Sequence, residues 1–332
     1  MKKIALEEHF ITADFLQNTQ KVDFEAMNPE NAIDFQTRLL DLDELRIKTM
    51  DEAGIEISVL SLTDPGVQGI ADTKTAIEHA SKTNAFLSEK ISKNPKRLRG
   101  FACLALQDPA SAATELERCV KQYGFVGALI NGQTQGSYLD EEKFHPFWNK
   151  VEELNVPIYL HPGNPQHPSP TYKNQHELDG PLWGWTVETG THALRLVFSG
   201  LFDRYPGLKI ILGHLGETLP YLLWRLDSRW KIIKHSKNLK KPPSQYIREN
   251  FYVTTSGMCS NGPLTCAIQE LGEDRVMFSV DYPYESSKIA AQFIEEAPFS
   301  RTVLEKICYK NAQNVLNFKN KAPVHVEESY VQ

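Results

Sequence analysis

Short apolar runs of strand character recur along the chain, separated by stretches with apolar residues at three- and four-residue spacing. Eight runs are predicted as strands: 4–6, 55–62, 98–104, 125–131, 156–161, 208–214, 251–256 and 276–281. The stretches 43–53, 73–94, 111–123, 140–154, 185–205, 218–231, 262–271 and 287–297 each carry the apolar stripe that a helix needs to cover a sheet. Gly54, Gly124, Gly207 and Gly272 stand where these helices would close, because glycine enters the left-handed conformation without steric cost. Strand and helix alternating eight times predict a (β/α)8 TIM-type barrel, a single domain over 1–318. A tail, 319–332, follows without periodicity of either kind.

Two connections exceed a simple strand-to-helix loop: 9–40 after strand 1 and 162–183 after strand 5. Long loops in a compact barrel usually serve as lids or binding loops. The second holds Pro162, Pro165, Pro168, Pro170 and Pro181 together with Tyr172 and Trp183, which predicts a stiff cover with apolar surface.

Chemistry gathers where the strands end. Glu7 and His9 lie two apart, so on an extended chain both side chains face the same way, while Glu8 faces elsewhere. His161 ends the fifth apolar run, His214 the sixth and Asp281 the eighth. Any one of these histidines reads equally well as a buried, hydrogen-bonded core residue. Placed together at the C-terminal ends of strands in one barrel, the residues converge on a single mouth. Two carboxylates and two neutral imidazoles, from Glu7, His9, His161 and Asp281, suit a divalent ion and leave positions open to substrate or water. His214 and Glu217 remain, either to support the ligands from behind or as an acid/base pair beside the ion. The fourth strand ends Ala128-Leu129-Ile130-Asn131, with no lysine to bridge two ions, so one ion per chain is expected. Zinc, manganese and magnesium each accept such a mixed nitrogen and oxygen set.

Composition narrows the partners. The chain has 332 residues, 41% hydrophobic and 23% charged, as an ordinary globular protein does. A formal net charge of −6, without a basic run, argues against nucleic acid. No stretch approaches the roughly 18 apolar residues of a membrane span. The apolar stretch after Met1-Lys2-Lys3 stops at Leu6 and runs into Glu7-Glu8-His9, so no secretory leader is expected. Five scattered cysteines without a C-x-x-C pair are expected as reduced thiols, in the cytoplasm.

Several segments carry a more specific signal: Ala5-Leu6-Glu7-Glu8-His9-Phe10, Gly124-Phe125-Val126-Gly127-Ala128-Leu129, Tyr159-Leu160-His161-Pro162, Ser199-Gly200-Leu201-Phe202-Asp203, Ile211-Leu212-Gly213-His214-Leu215-Gly216-Glu217, Thr254-Thr255-Ser256-Gly257 and Phe278-Ser279-Val280-Asp281-Tyr282-Pro283-Tyr284-Glu285. Over nearly its whole length the chain resembles the amidohydrolase superfamily, in particular the nonoxidative decarboxylases of hydroxybenzoates. The resemblance implies that Glu7, His9, His161 and Asp281 hold a divalent metal ion, that His214 and Glu217 form the acid/base apparatus, and that Arg225 supports it. It further implies a small aromatic carboxylate as substrate and a homo-dimer or homo-tetramer as the assembly. The chain departs from the family in its loop 163–179 and in Tyr284, where phenylalanine is frequent.

The expected reaction is reversible decarboxylation of an ortho-hydroxybenzoate, such as 2,6- or 2,3-dihydroxybenzoate, to a phenol. Chelation by carboxylate and phenolic oxygen would fix the ring, and Asp281 would protonate the carbon that bears the carboxylate. Phe10, Phe24, Trp183 and Tyr284 are the candidates for holding the ring. Hydrolysis of a lactone or amide on the same barrel is the competing expectation, because Asp281 could instead deprotonate a water. A barrel that only binds is disfavoured, since every proposed ligand is in place.

Overall fold

The computed structural model describes residues 1–18 and 28–318. Phe24, one of the expected ring-holding residues, and the tail 319–332 lie outside the described residues. Eight parallel strands run in chain order: β1 Lys3–Phe10, β2 Ile55–Leu62, β3 Leu98–Ala102, β4 Gly127–Asn131, β5 Ile158–His161, β6 Ile210–Leu212, β7 Phe251–Thr254 and β8 Val276–Met277. Glu8 bridges Tyr282, and His9 N donates to Tyr282 O at 2.7 Å, closing the barrel between its first and last strands. The molecule is a (β/α)8 TIM barrel.

Alternation along the strands sorts side chains into two cores. Ile4, Leu6, Val59, Phe101, Leu129, Tyr159, Ile211 and Met277 fill the barrel interior, floored by Ala312, Val315 and Leu316. Leu60, Leu62, Ala128, Ile130, Ile158, Leu160, Ile210 and Leu212 face outward into the larger core beneath the helices. Strand β1 breaks the rule usefully. Its pairing with β2 shifts register between Ala5 and Glu8, so Leu6 points into the interior core while Glu7 and His9 both reach the mouth.

The expected helices are present as Glu44–Ala53, Thr73–Lys93, Pro109–Gln122, His145–Leu154, Gly184–Phe198, Leu219–Trp230, Asn261–Leu271 and Ser287–Glu296. Gly54, Gly124 and Gly272 have positive φ, at 64°, 68° and 96°. Gly207 does not take that role; the helix Gly184–Phe198 stops earlier, and Gly200, at φ 80°, makes the turn. The long connection after β1 contains two helices, Ala13–Asn18 and Pro29–Leu40. Of the second, Leu39 is the one residue that is fully buried, which is why its apolar pattern is faint in the sequence. The connection after β5 holds only three short turns, at Pro170–Tyr172, His176–Leu178 and Gly180–Leu182.

Candidate metal centre and acid/base pair

Glu7, His9, His161 and Asp281 each bring one ligand atom to a common point, all within 4.8 Å of one another. His9 Nε2 lies 3.2 Å from Asp281 Oδ1, and His161 Nε2 lies 3.3 Å from Glu7 Oε1. Their other atoms are already engaged. The Nδ1 of His161 donates to the Pro162 carbonyl at 2.7 Å, and that of His9 meets Ser61 Oγ at 3.3 Å. These bonds fix both rings with Nε2 turned inward, and the carbonyl partner of His161 puts the proton on Nδ1 and leaves its Nε2 free to ligate a metal. Tyr159 donates to Glu7 Oε2, and its hydroxyl also meets Thr254 Oγ1 at 2.7 Å. Glu7 Oε1 and His9 Nε2, both buried, have no hydrogen-bond partner. These two open acceptors, in a cluster of two carboxylates and two imidazoles that share one point, fit a divalent ion.

Neighbouring groups hold this set in place. Glycine is needed at position 213 because a Cβ there would meet Glu7 Oε2 at 2.6 Å. Glu8 does turn away from the ligands: Oε1 accepts from Val280 N at 3.0 Å and Ser279 Oγ at 3.2 Å, and burial pushes its carboxyl up to about 8. Arg46, 1% exposed, donates to the His9 carbonyl at 2.5 Å and sits over the Tyr282 ring, next to Asp281 in the chain. Nothing in the local pattern of the helix Glu44–Ala53 marks this arginine, so sequence reasoning passed over it.

Past β6 the backbone makes a turn of the wrong hand. His214, Leu215, Gly216, Glu217 and Thr218 have φ of 49°, 54°, 88°, 52° and 67°, and four of these residues carry a Cβ. Left-handed conformation costs such residues of order 1 kcal/mol each. Asp281 adds φ 82°. Strain at these residues aims the candidate acid/base groups: His214 Nδ1 and Glu217 Oε1 are 2.7 Å apart, and His214 Nε2 is 3.6 Å from Asp281 Oδ2. Burial works against charge on His214, but Glu217, Glu7 and Asp281 outweigh it and hold the imidazole protonated well above its ordinary range. For Asp281 burial works upward, yet the facing imidazoles of His214 and His9 bring its carboxyl below the ordinary range.

The remaining expected residues divide. Tyr284 reaches the site: its ring lies 5.8 Å from that of His9, 5.3 Å from Phe35, and its hydroxyl meets Thr63 Oγ1 at 2.6 Å. Phe10 does not, because the last residue of β1 alternates to the outer face, where it stacks on Phe86 in the core. Trp183 is 46% exposed, and the tryptophan beside the ligands is Trp185, whose ring lies 6.2 Å from that of His161 and whose Nε1 donates to Asn164 Oδ1 at 2.6 Å. Arg225 is exposed on the helix Leu219–Trp230, on one face with Tyr221 and Trp224. Among the described residues it has no hydrogen bond to His214 or Glu217, because helical periodicity turns that face to solvent.

A barrel with a carboxylate and imidazole centre at its C-terminal mouth, served by a His–Glu pair, defines the class of metal-dependent amidohydrolase-type enzymes. The amidohydrolase family model matches residues 31–318. A γ-resorcylate decarboxylase of a Polaromonas species is 47% identical over 322 residues, 94% of this chain and 98% of that protein. Among solved structures, dihydroxybenzoic acid decarboxylase from Polaromonas, with bound manganese and the inhibitor 2-nitroresorcinol, superimposes with a TM-score of 0.90 at 45% identity, over 98% of this chain and 99% of that one. A 2,6-dihydroxybenzoate decarboxylase complexed with 2,6-dihydroxybenzoate gives 0.91 at 42% identity, over 96% and 99%. The chain belongs to the amidohydrolase family and, within it, to the nonoxidative hydroxybenzoate decarboxylases.

Proposed function

We propose that the protein is a carboxy-lyase that decarboxylates 2,6-dihydroxybenzoate to resorcinol, reversibly. One divalent ion per chain is held by Glu7, His9, His161 and Asp281. The observation that carries this reading is the inward-facing ligand set with His214 and Glu217 beside it, in a chain similar along nearly its whole length to decarboxylases of this substrate. Manganese is favoured over zinc and magnesium by the ion bound in the Polaromonas structure.

Bound there, a divalent ion supplies positive charge for the carboxylate and adjacent phenolic oxygen of the substrate. The chain's own groups move the proton. Asp281 delivers it to the ring carbon bearing the carboxylate, giving a nonaromatic intermediate. The bond to the carboxylate then breaks, its electron pair returns to the ring, and CO2 leaves. His214 Nε2 faces Asp281 Oδ2 at 3.6 Å and its Nδ1 meets Glu217 Oε1 at 2.7 Å, so His214 and Glu217 form the route by which Asp281 is supplied with its proton. Tyr284 and Trp185 flank the ring.

Two further readings complete the proposal. No described helix is long and apolar enough to cross a membrane, and all five cysteines are unpaired, which supports a place in the reducing cytoplasm. Tyr221 and Trp224, 82% and 79% exposed, with Ile232 and Ile233 close by, supply apolar surface for a homo-oligomer. The activity is tested by incubating purified protein and manganese with 2,6-dihydroxybenzoate and with a lactone. Resorcinol and CO2 should form while the lactone is untouched; hydrolysis of the lactone alone would replace the reading.

A further inference from the structure

Strand β4 ends at Asn131, paired in register with His161 of β5. Leu129, two residues earlier, points into the barrel interior, so Asn131 points the same way and enters the mouth at the level of the ligand His161. It is 5% exposed. Its amide is oriented: Nδ2 donates to the Leu62 carbonyl at 3.4 Å and packs against Gly66, where a Cβ would come within 2.4 Å of that nitrogen. A flipped amide would set Oδ1 against a carbonyl oxygen, so Oδ1 is the atom turned away from β2. That oxygen is buried and has no hydrogen-bond partner.

Of the other open buried polar atoms near the ligands, Ser256 Oγ, beside Glu7, can itself donate, and the acceptors have uses. Glu7 Oε1 and His9 Nε2 face the shared ligand point, and Glu217 Oε2 belongs to the carboxylate that charges His214. Asn131 Oδ1 has none, and it can only accept. The substrate carboxylate and the phenolic oxygen beside it are themselves acceptors, so neither can satisfy it. The second ortho-hydroxyl of a 2,6-dihydroxybenzoate retains its proton and is a donor.

We propose that Asn131 is a specificity-determining residue whose side-chain oxygen accepts a hydrogen bond from the substrate's second ortho-hydroxyl, setting 2,6-dihydroxybenzoates apart from 2-hydroxybenzoates. The inference rests on the decarboxylase reading, and wild-type turnover of 2,6-dihydroxybenzoate tests that reading separately. The experiment uses the manganese-loaded full chain with Asn131→Ala, comparing kcat/KM for 2,6-dihydroxybenzoate and 2-hydroxybenzoate and inhibition by 2-nitroresorcinol and 2-nitrophenol, with metal content measured alongside. Loss of a donor's buried partner should lower kcat/KM for 2,6-dihydroxybenzoate, and the affinity for 2-nitroresorcinol, by about 10- to 200-fold. Values for the two compounds lacking the second hydroxyl should change by less than about threefold, with metal content unchanged. If Asn131→Ala does not fold, Asn131→Ser is measured on the same four compounds. Equal losses for both members of each pair would overturn the assignment and leave Asn131 a partner of buried water. Loss of metal would overturn it by making Asn131 part of the metal site.

Discussion

At the scale of single residues, the roles proposed for Asp281 and Glu217 separate experimentally. Asp281→Asn removes the proposed proton donor, and turnover should fall by about 10³-fold or more, whereas Glu217→Gln, proposed to act only through the charge on His214, should cost about 10- to 100-fold. Exchange of resorcinol's ring hydrogen with deuterated solvent should stop in the first variant and persist in the second. Near-normal exchange in Asp281→Asn would move the proton donor to His214. His161→Ala should lose metal and activity together while circular dichroism keeps its helical signal. His161 and Asp281 are legible in the sequence because each ends an apolar run, whereas Glu217 is reached only through the segment Gly213-His214-Leu215-Gly216-Glu217. Trp185 was missed in favour of Trp183 because both lie at a loop-to-helix boundary, and only the direction in which that helix starts decides which ring meets His161.

At the scale of elements, strand order and the positions of eight helices follow from periodicity, but the turn after β6 does not. His214 to Thr218 offers a single glycine, and nothing in it announces a left-handed conformation imposed by tertiary contacts. The strand ends were also overextended: β6 stops at Leu212 and β8 at Met277, since the residues beyond leave the ladder to form the site. Gly213 links these elements. Its φ of −68° suits any residue, so Gly213→Ala introduces only the clash with Glu7 Oε2. The variant should lose metal affinity by about 10-fold or more, as disturbing groups around a metal ligand does, while the midpoint of thermal unfolding without metal barely moves. Unchanged metal affinity would mean that Glu7 does not hold the ion in the observed rotamer.

For the whole molecule, pH dependence of stability has an identifiable contributor away from the site. His192, 1% exposed, accepts from Leu139 N through Nε2 at 3.0 Å, and burial lowers it from 6.5 to about 3. The unfolded chain therefore binds the extra proton first, so this contribution is full above pH 6.5 and is lost as pH falls from there toward 3. Between pH 6.5 and 5 the loss is about 2 kcal/mol, at about 1.4 kcal/mol per pH unit. Urea unfolding of His192→Gln, which keeps an acceptor but cannot titrate, should show a shallower decline by that amount; identical slopes would remove His192 from the account. Assembly is tested by Trp224→Glu, which should shift sedimentation toward a smaller species if the exposed face of Leu219–Trp230 is an interface.

The central claim joins one chemistry to one site, and a single assay reaches both. Purified protein is stripped of metal, reloaded with manganese, and given 2,6-dihydroxybenzoate beside 4-hydroxybenzoate, with CO2 and phenol products measured. Decarboxylation of 2,6-dihydroxybenzoate to resorcinol that vanishes on stripping and returns on reloading, with 4-hydroxybenzoate inert for want of an oxygen beside the carboxylate, is the predicted result. Turnover of 2,6-dihydroxybenzoate that survives metal removal, or equal turnover of 4-hydroxybenzoate, would contradict it.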